Sequence, residues 1–233
     1  MNIMALHGTL IAAFLTRDEI FLASDGRVIH NKTGQIHNDW SKVHQINKYV
    51  GMLTAGAFIP PFKDAVVRNC NDRNIRTVEG VVQVASLILT EFWRSNVERI
   101  KQSGRLDEFR VFVFIAGFDV NNCPRLFYLD NMSKPKFSIQ VRQLFQNGHD
   151  FEIGALSTGS GQEEDPSGLL TQEINCRIQQ LGIIPNLSLI LYSAFSLVKD
   201  KLSKTNSRIG GKTFLSKIDR TDGFKDISDV YQT

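Results

Sequence analysis

The stretch HGTLIAAFLTRDEIFLASDGRV, His7–Val28, decides how this chain reads. From Thr9 to Leu15 both alternating faces are apolar: Leu10, Ala12 and Phe14 on one, Ile11, Ala13 and Leu15 on the other. Successive strand residues point to opposite faces, so a strand of this kind is covered on both sides. Four polar residues, Thr16-Arg17-Asp18-Glu19, then make a turn, and Ile20–Ser24 resumes the pattern. The stretch therefore predicts a buried hairpin. It opens on a hydroxyl behind a glycine, Gly8-Thr9, and closes on a lone carboxylate, Asp25.

Beyond the hairpin, residues 29–41 are polar around Gly34 and read as a loop or short exposed hairpin. Lys42–Asn47 and Tyr49–Thr54 form a further strand pair, ending at Ala55-Gly56. Pro60-Pro61 opens a helix through Cys70, because proline suits a first helical turn. Thr77 is the expected N-cap of Val78–Lys101, whose apolar positions Val81, Val82, Ala85, Leu87, Ile88, Phe92 and Trp93 keep roughly helical spacing, with Gly104 as the stop. Strands are expected again at Arg110–Ala116, Arg125–Leu129, Phe137–Leu144 and Phe151–Ser157. Helices at Gly168–Leu181 and Leu187–Leu202, the latter capped by Asn186, precede a last strand, Lys212–Asp219, behind Gly210-Gly211. Strands buried on both faces need covering layers, and the two helix pairs supply them. Two stacked sheets between two helical layers satisfy that pattern, although periodicity alone does not settle the stacking. No repeat, low-complexity tract or linker divides the chain.

At 233 residues the chain can bury a substantial core without disulfides or metals. Its 27 basic and 24 acidic residues leave a formal +3, too mild to imply nucleic acid or an anionic membrane. No apolar run reaches the ~20 residues of a membrane span, and MNIMALHG lacks the basic start of a signal peptide. Cys70, Cys123 and Cys176 are odd in number and widely spaced, so reduced thiols in a soluble, cytoplasmic protein are expected, with no metal or organic cofactor. His30, His37, His44 and His149 show no ligand spacing and read as surface or satisfied polar residues. Glu163-Glu164-Asp165 reads as a solvated helix start.

The chemistry lies at the ends of the hairpin. A threonine hydroxyl is a poor nucleophile unless a base takes its proton. One such base is the residue's own α-amine, with a pKa of ~7.7–8.0, which exists only if Thr9 becomes the first residue of the mature chain. Gly8 suits that outcome, since a glycine backbone can adopt the strained dihedrals that let the Thr9 hydroxyl reach its carbonyl. Antiparallel pairing returns Asp25 towards Thr9. A buried aspartate needs a cation to stay ionised, and Lys42 at the start of the next strand is the natural one. An ammonium there favours the alkoxide of Thr9 electrostatically. Gly56 is placed to present a backbone N–H to a developing oxyanion.

Taken together, Gly8-Thr9, the hairpin ending IFLASDGR, KVHQIN from Lys42 and Ala55-Gly56 closely resemble the opening of proteasome β-type subunits, members of the N-terminal-nucleophile hydrolases. FIAGFD (Phe114–Asp119), PRLFYLD (Pro124–Asp130), STGSGQ (Ser157–Gln162) and SRIGG (Ser207–Gly211) extend the resemblance over most of the chain, most specifically near the amino end. It implies an α+β fold, a four-layer αββα sandwich of two mainly antiparallel sheets between helical layers. It also implies a short leader, 1–8, removed by autolysis, and a single domain, 9–233. The activity implied is threonine-type endopeptidase, acting on unfolded polypeptide inside stacked rings of its own copies that an ATP-driven unfoldase serves. Ser160 then falls at the serine supporting the nucleophile.

The resemblance also shows a departure. The family's active subunits carry an Asp, two residues, then Ser or Thr before Gly-Gly, and those groups orient the terminal amine and help processing. Here Asn206 and Ile209 stand in their places. Asn206 keeps hydrogen-bonding capacity without the charge, and Ile209 loses the hydroxyl. Two alternatives therefore stand beside the peptidase: a non-catalytic structural subunit that keeps its leader, and an amidase of the wider superfamily acting on a small amide.

Overall fold

The computed structural model describes residues 4–5, 9–30, 33–58, 61–102, 110–131, 139–144, 151–158, 165–181 and 186–231. The first strands are β1 (Met4–Ala5), β2 (Thr9–Thr16), β3 (Glu19–Asp25), β4 (Val28–Ile29), β5 (Ile36–His37), β6 (Val43–Asn47) and β7 (Val50–Phe58). Two helices follow, α1 (Phe62–Asp72) and α2 (Val78–Gln102). Next come β8 (Val111–Phe118), β9 (Pro124–Asp130), β10 (Gln140–Leu144) and β11 (Phe151–Thr158), then α3 (Pro166–Leu181) and α4 (Leu187–Thr205). The described chain ends with β12 (Thr213–Asp219), β13 (Gly223–Asp226) and a 3-10 turn at Ser228–Tyr231.

One sheet runs β11-β2-β3-β12-β13, the other β1-β7-β8-β9-β10 with β6 also paired to β7, and every pairing is antiparallel. The two faces of the opening strand go where their apolar character requires. Leu10, Ala12 and Phe14 pack with Leu191, Ala194, Phe195 and Val198 of α4. Ile11, Ala13 and Leu15 pack between the sheets with Leu53, Phe112, Phe114 and Ala116. The other side of the second sheet, through Val113 and Ile115, is covered by Val81, Ala85 and Leu89 of α2. The order helix–sheet–sheet–helix is thus the expected αββα sandwich. Residues that alternate along one strand feed two separate cores, which is why β2 carries no polar side chain between its terminal threonines.

Caps hold where they were expected. The Thr77 hydroxyl accepts from Gly80 N at 3.4 Å, and Asn186 Oδ1 accepts from Leu189 N at 3.3 Å. Asp165 Oδ1 accepts from Ser167 N at 3.1 Å and so starts α3 two residues before Gly168. Residues 29–41 contribute the small β4–β5 hairpin. Gly104, His149, Glu163, Glu164 and the first part of the strand expected from Phe137 lie outside the described residues.

Two expectations need correction. The helical spacing puts Leu87 on the apolar face of α2, yet it is 65% exposed. The buried stripe is Val81, Ala85, Leu89 and Trp93, and at about 100° per residue Leu87 is turned about 200° from Ala85. The strand expected to stop at Thr54 runs on to Phe58, carrying Gly56 inside it at φ +81°. A side chain at Gly56 would bring its Cβ within 2.1 Å of the Arg110 carbonyl oxygen, so only glycine lets β7 and β8 close together there. A further strand, β13, is not announced by the sequence: it is four residues long, with one apolar residue, Phe224, before the exposed Lys225-Asp226, and its one signal is the Asp222-Gly223 turn, with Gly223 at φ +82°.

Candidate active site

Asp25, at the last position of β3 and fully buried, is the hub of the site. Its Oδ1 accepts from Leu10 N at 2.9 Å and from Lys42 Nζ at 2.5 Å, and its Oδ2 accepts from Gly210 N at 3.1 Å. The first of these amides belongs to the peptide bond that follows Thr9. The carboxylate therefore ties the start of β2, the residue before β6 and the Gly-Gly turn before β12 to one point. Lys42 is 2% exposed, and its own amide donates to Ser24 Oγ at 3.3 Å. Burial pushes the Lys42 ammonium below its usual range. Asp25 opposes that shift, and the nearby Arg27 charge adds to it.

Thr9 is 1% exposed, and its hydroxyl is buried with no hydrogen-bond partner among the described residues. A buried hydroxyl is ordinarily bonded, and this one belongs to the residue whose following amide Asp25 holds. Thr9 pairs with Thr158 on β11, whose hydroxyl is likewise buried and without a partner among the described residues. Leu10 directs its amide towards β3, so by strand alternation the nitrogen of Thr9 faces β11. Asn206, the residue that ends α4, donates from Nδ2 to the Thr158 carbonyl at a long 3.4 Å, and its Oδ1 accepts from Arg208 N at 3.1 Å. The Asn206 position thus faces the strand opposite Thr9. Ile209 is 1% exposed and packs into the core under α4. Gly8 and Ser160 lie outside the described residues.

Gly56 stands two residues after Thr54, whose amide donates to the Lys42 carbonyl at 3.2 Å. Alternate strand residues send their amides to the same edge, so the N–H of Gly56 faces the side of β7 on which Lys42 lies. Its opposite number across β8, Val111, sends its own amide elsewhere, to Asn131 Oδ1 at 2.9 Å.

His44, at the second position of β6, lies within 3.4 Å of Thr54 Oγ1 through Nε2. Burial lowers its pKa from 6.5 to about 4, the Lys63 charge helps, and Asp64 opposes. The folded chain therefore refuses a proton that the unfolded chain accepts below pH 6.5. Stability is lost as pH falls from about 6.5 to about 4, by up to about 3 kcal/mol. His44→Gln keeps a polar group near Thr54 and removes this titration. In urea unfolding at pH 7 and pH 4.5, the variant is expected to lose less stability than the unmutated chain.

Three parts of this site escaped the sequence reading. In the sequence Gly210 reads only as punctuation before a strand, yet its amide donates to Asp25. Arg27 donates from its guanidinium to the carbonyls of Ser207 at 2.7 Å and Ile209 at 3.3 Å, and from Nε to Asn38 Oδ1 at 2.9 Å, so it carries the Gly-Gly turn. The pair Thr158 and Asn206 is joined across nearly fifty positions of sequence, which no local signal reports. Among the described residues no group of three or more His, Cys, Asp or Glu gathers as a metal site, and no helix is long and apolar enough to cross a membrane. All three cysteines are free. Compared with known families, residues 5–134 match the model of the proteasome subunit family. No curated protein matches the chain.

Proposed function

The chain belongs to the proteasome subunit family, and from that premise we propose that it is a threonine peptidase of the N-terminal-nucleophile type. It hydrolyses peptide bonds of unfolded polypeptide, in the cytoplasm, inside a ring assembly of its own copies served by an ATP-driven unfoldase. Family members assemble into oligomeric rings. The single observation that carries the reading is the Thr9 hydroxyl, buried without a partner among the described residues, on the residue whose following amide is held by the carboxylate that Lys42 pairs with.

Residues 1–8 are then a leader and 9–233 the working domain. In the first event the Thr9 oxygen adds to the Gly8 carbonyl, the Gly8–Thr9 amide becomes an ester, and water hydrolyses that ester. The leader leaves with its new carboxylate, and Thr9 keeps a free α-amine. In each later turnover that amine takes the hydroxyl proton as the oxygen attacks a substrate carbonyl, and gives it to the departing amine. Water, deprotonated by the same amine, then hydrolyses the acyl ester, releasing the second product as a carboxylic acid and restoring the Thr9 hydroxyl. Lys42 lowers the cost of the alkoxide, Asp25 holds Lys42, and Gly56 N–H receives the oxyanion. Ser160 and Asn206 support the amine, Asn206 as a neutral donor and acceptor. β1 pairs antiparallel with the end of β7, Met4 opposite Phe58 and Ala5 opposite Ala57, so an extended substrate has an edge to join once the leader is gone.

The test is the intact mass of assembled protein together with turnover of a fluorogenic peptide. Loss of 1–8 with turnover supports the peptidase. Ile209, buried where the family carries a hydroxyl, favours a second reading as a structural subunit, which a full-length mass in silent, assembled particles would establish.

A further inference from the structure

Lys199 of α4 is a buried cation for which the chemistry above has no use; it is 8% exposed. Its Nζ donates to the Gly211 carbonyl at 2.7 Å and to Thr213 Oγ1 at 3.0 Å, while the Asp200 carboxylate stands off at 3.7 Å and is mostly in solvent. Ser196, nearly one turn earlier on α4, reaches the same Thr213 hydroxyl at 3.0 Å. Burying an ammonium is costly unless its hydrogens find acceptors, so this one is held to a specific place.

That place is the turn behind Asp25. Gly210 and Gly211 have φ of +150° and +75°, which side-chain-bearing residues rarely adopt. Nor is there room: a Cβ on Gly210 would come within 2.8 Å of the Arg27 guanidinium, and one on Gly211 within 2.4 Å of the Asn38 carbonyl oxygen. The turn must be glycine, and two adjacent glycines have the freest backbone in the chain. Yet Gly210 has to aim its N–H at Asp25 Oδ2 and its carbonyl at Gly26 N, both at 3.1 Å. Rigidity must come from outside. Arg27 grips the turn upstream, at Ser207 and Ile209, and Lys199 grips it downstream, at Gly211 and Thr213. Thr213 is itself the register partner of Asp25 on β12.

We propose that Lys199 is a positioning residue: from the helical layer it locks the Gly210-Gly211 turn, so that the Gly210 amide holds Asp25 in the orientation that engages Lys42 and the backbone beside Thr9. Its kinetic consequence rests on the reading of Thr9 as nucleophile; its effect on the turn does not. Lys199→Met keeps the apolar stem and removes the donor. We expect kcat to fall about 10–100-fold with KM within about twofold, because the nucleophile's support is displaced and no substrate contact is lost. Hydrogen exchange of the turn amides, residues 210–212, should quicken at least about tenfold while β2 and β3 keep their protection. Thr213→Val, which removes one of the two acceptors and preserves shape, should move both readouts the same way by a smaller factor, and it carries the test if the Met variant does not fold.

Unchanged turnover and unchanged turn exchange in these variants overturn the proposal. So does exchange that quickens across the whole domain, which would make Lys199 a general support. If the unmutated chain cleaves nothing, or Thr9→Ala cleaves equally well, the catalytic reading is what fails, and exchange at the turn alone decides the role of Lys199.

Discussion

Thr9→Ala is expected to abolish peptide turnover, by at least about 10³-fold, and to leave residues 1–8 attached. The Thr9 hydroxyl has no partner among the described residues, so removing it orphans none of them. The change in stability should stay within about 1 kcal/mol, and the loss of activity should come without loss of fold. Thr9→Ser restores a hydroxyl at the same place and should process and turn over measurably. Fluorogenic peptide kinetics, intact mass and thermal unfolding on the three proteins separate the outcomes. Equal turnover by the alanine variant would remove Thr9 from the chemistry and leave the fold untouched.

The next largest effect is expected at Asp25. Asp25→Ala strips the acceptor from three donors at once, Leu10 N, Lys42 Nζ and Gly210 N, and leaves a buried ammonium uncompensated. Breaking a buried pair from one side costs about 3–5 kcal/mol, a large share of a domain's stability. Lys42→Met leaves the carboxylate with two amide donors, so it should cost less, about 2–3 kcal/mol, while inactivating equally. The contrast, read as urea midpoints at constant slope, distinguishes a hub from an ordinary ion pair. If Asp25→Ala cost no more than Lys42→Met, the two backbone bonds would be carrying little.

Much of this architecture is legible in the sequence itself. Ile11 and Leu10 announce two different cores because a strand's period of two cannot hide one apolar face behind the other. Thr77 and Asn186 are helix starts because a short polar side chain can bond the orphan amides of a first turn. Lys42 was legible as the partner of Asp25 because a buried carboxylate so near the end of a hairpin demands a cation, and the next strand starts with one. Leu87 misled because leucine at a roughly helical interval suggests the core, and only the neighbouring sheet says which stripe is covered. Gly56 misled in another way: Ala-Gly reads as a strand end, whereas the close approach of Arg110 turns it into a bend within a strand.

What the sequence by itself determined is local: which stretches alternate, which are amphipathic, which small polar residues start helices, and that Thr9 and Asp25 close one hairpin with Lys42 at the start of the next strand pair. Each follows from steric and hydrophobic rules acting over a few residues. Only the tertiary structure decided that the two sheets stack face to face, that the Gly210 amide meets a carboxylate 185 positions earlier, and that Lys199 reaches over the turn from the helical layer. The reason is physical. A buried face specifies that something apolar must cover it, and a buried charge that some polar group must meet it, but neither names the partner. That choice is made when distant segments pack at interior density and their remaining hydrogen-bonding groups find one another.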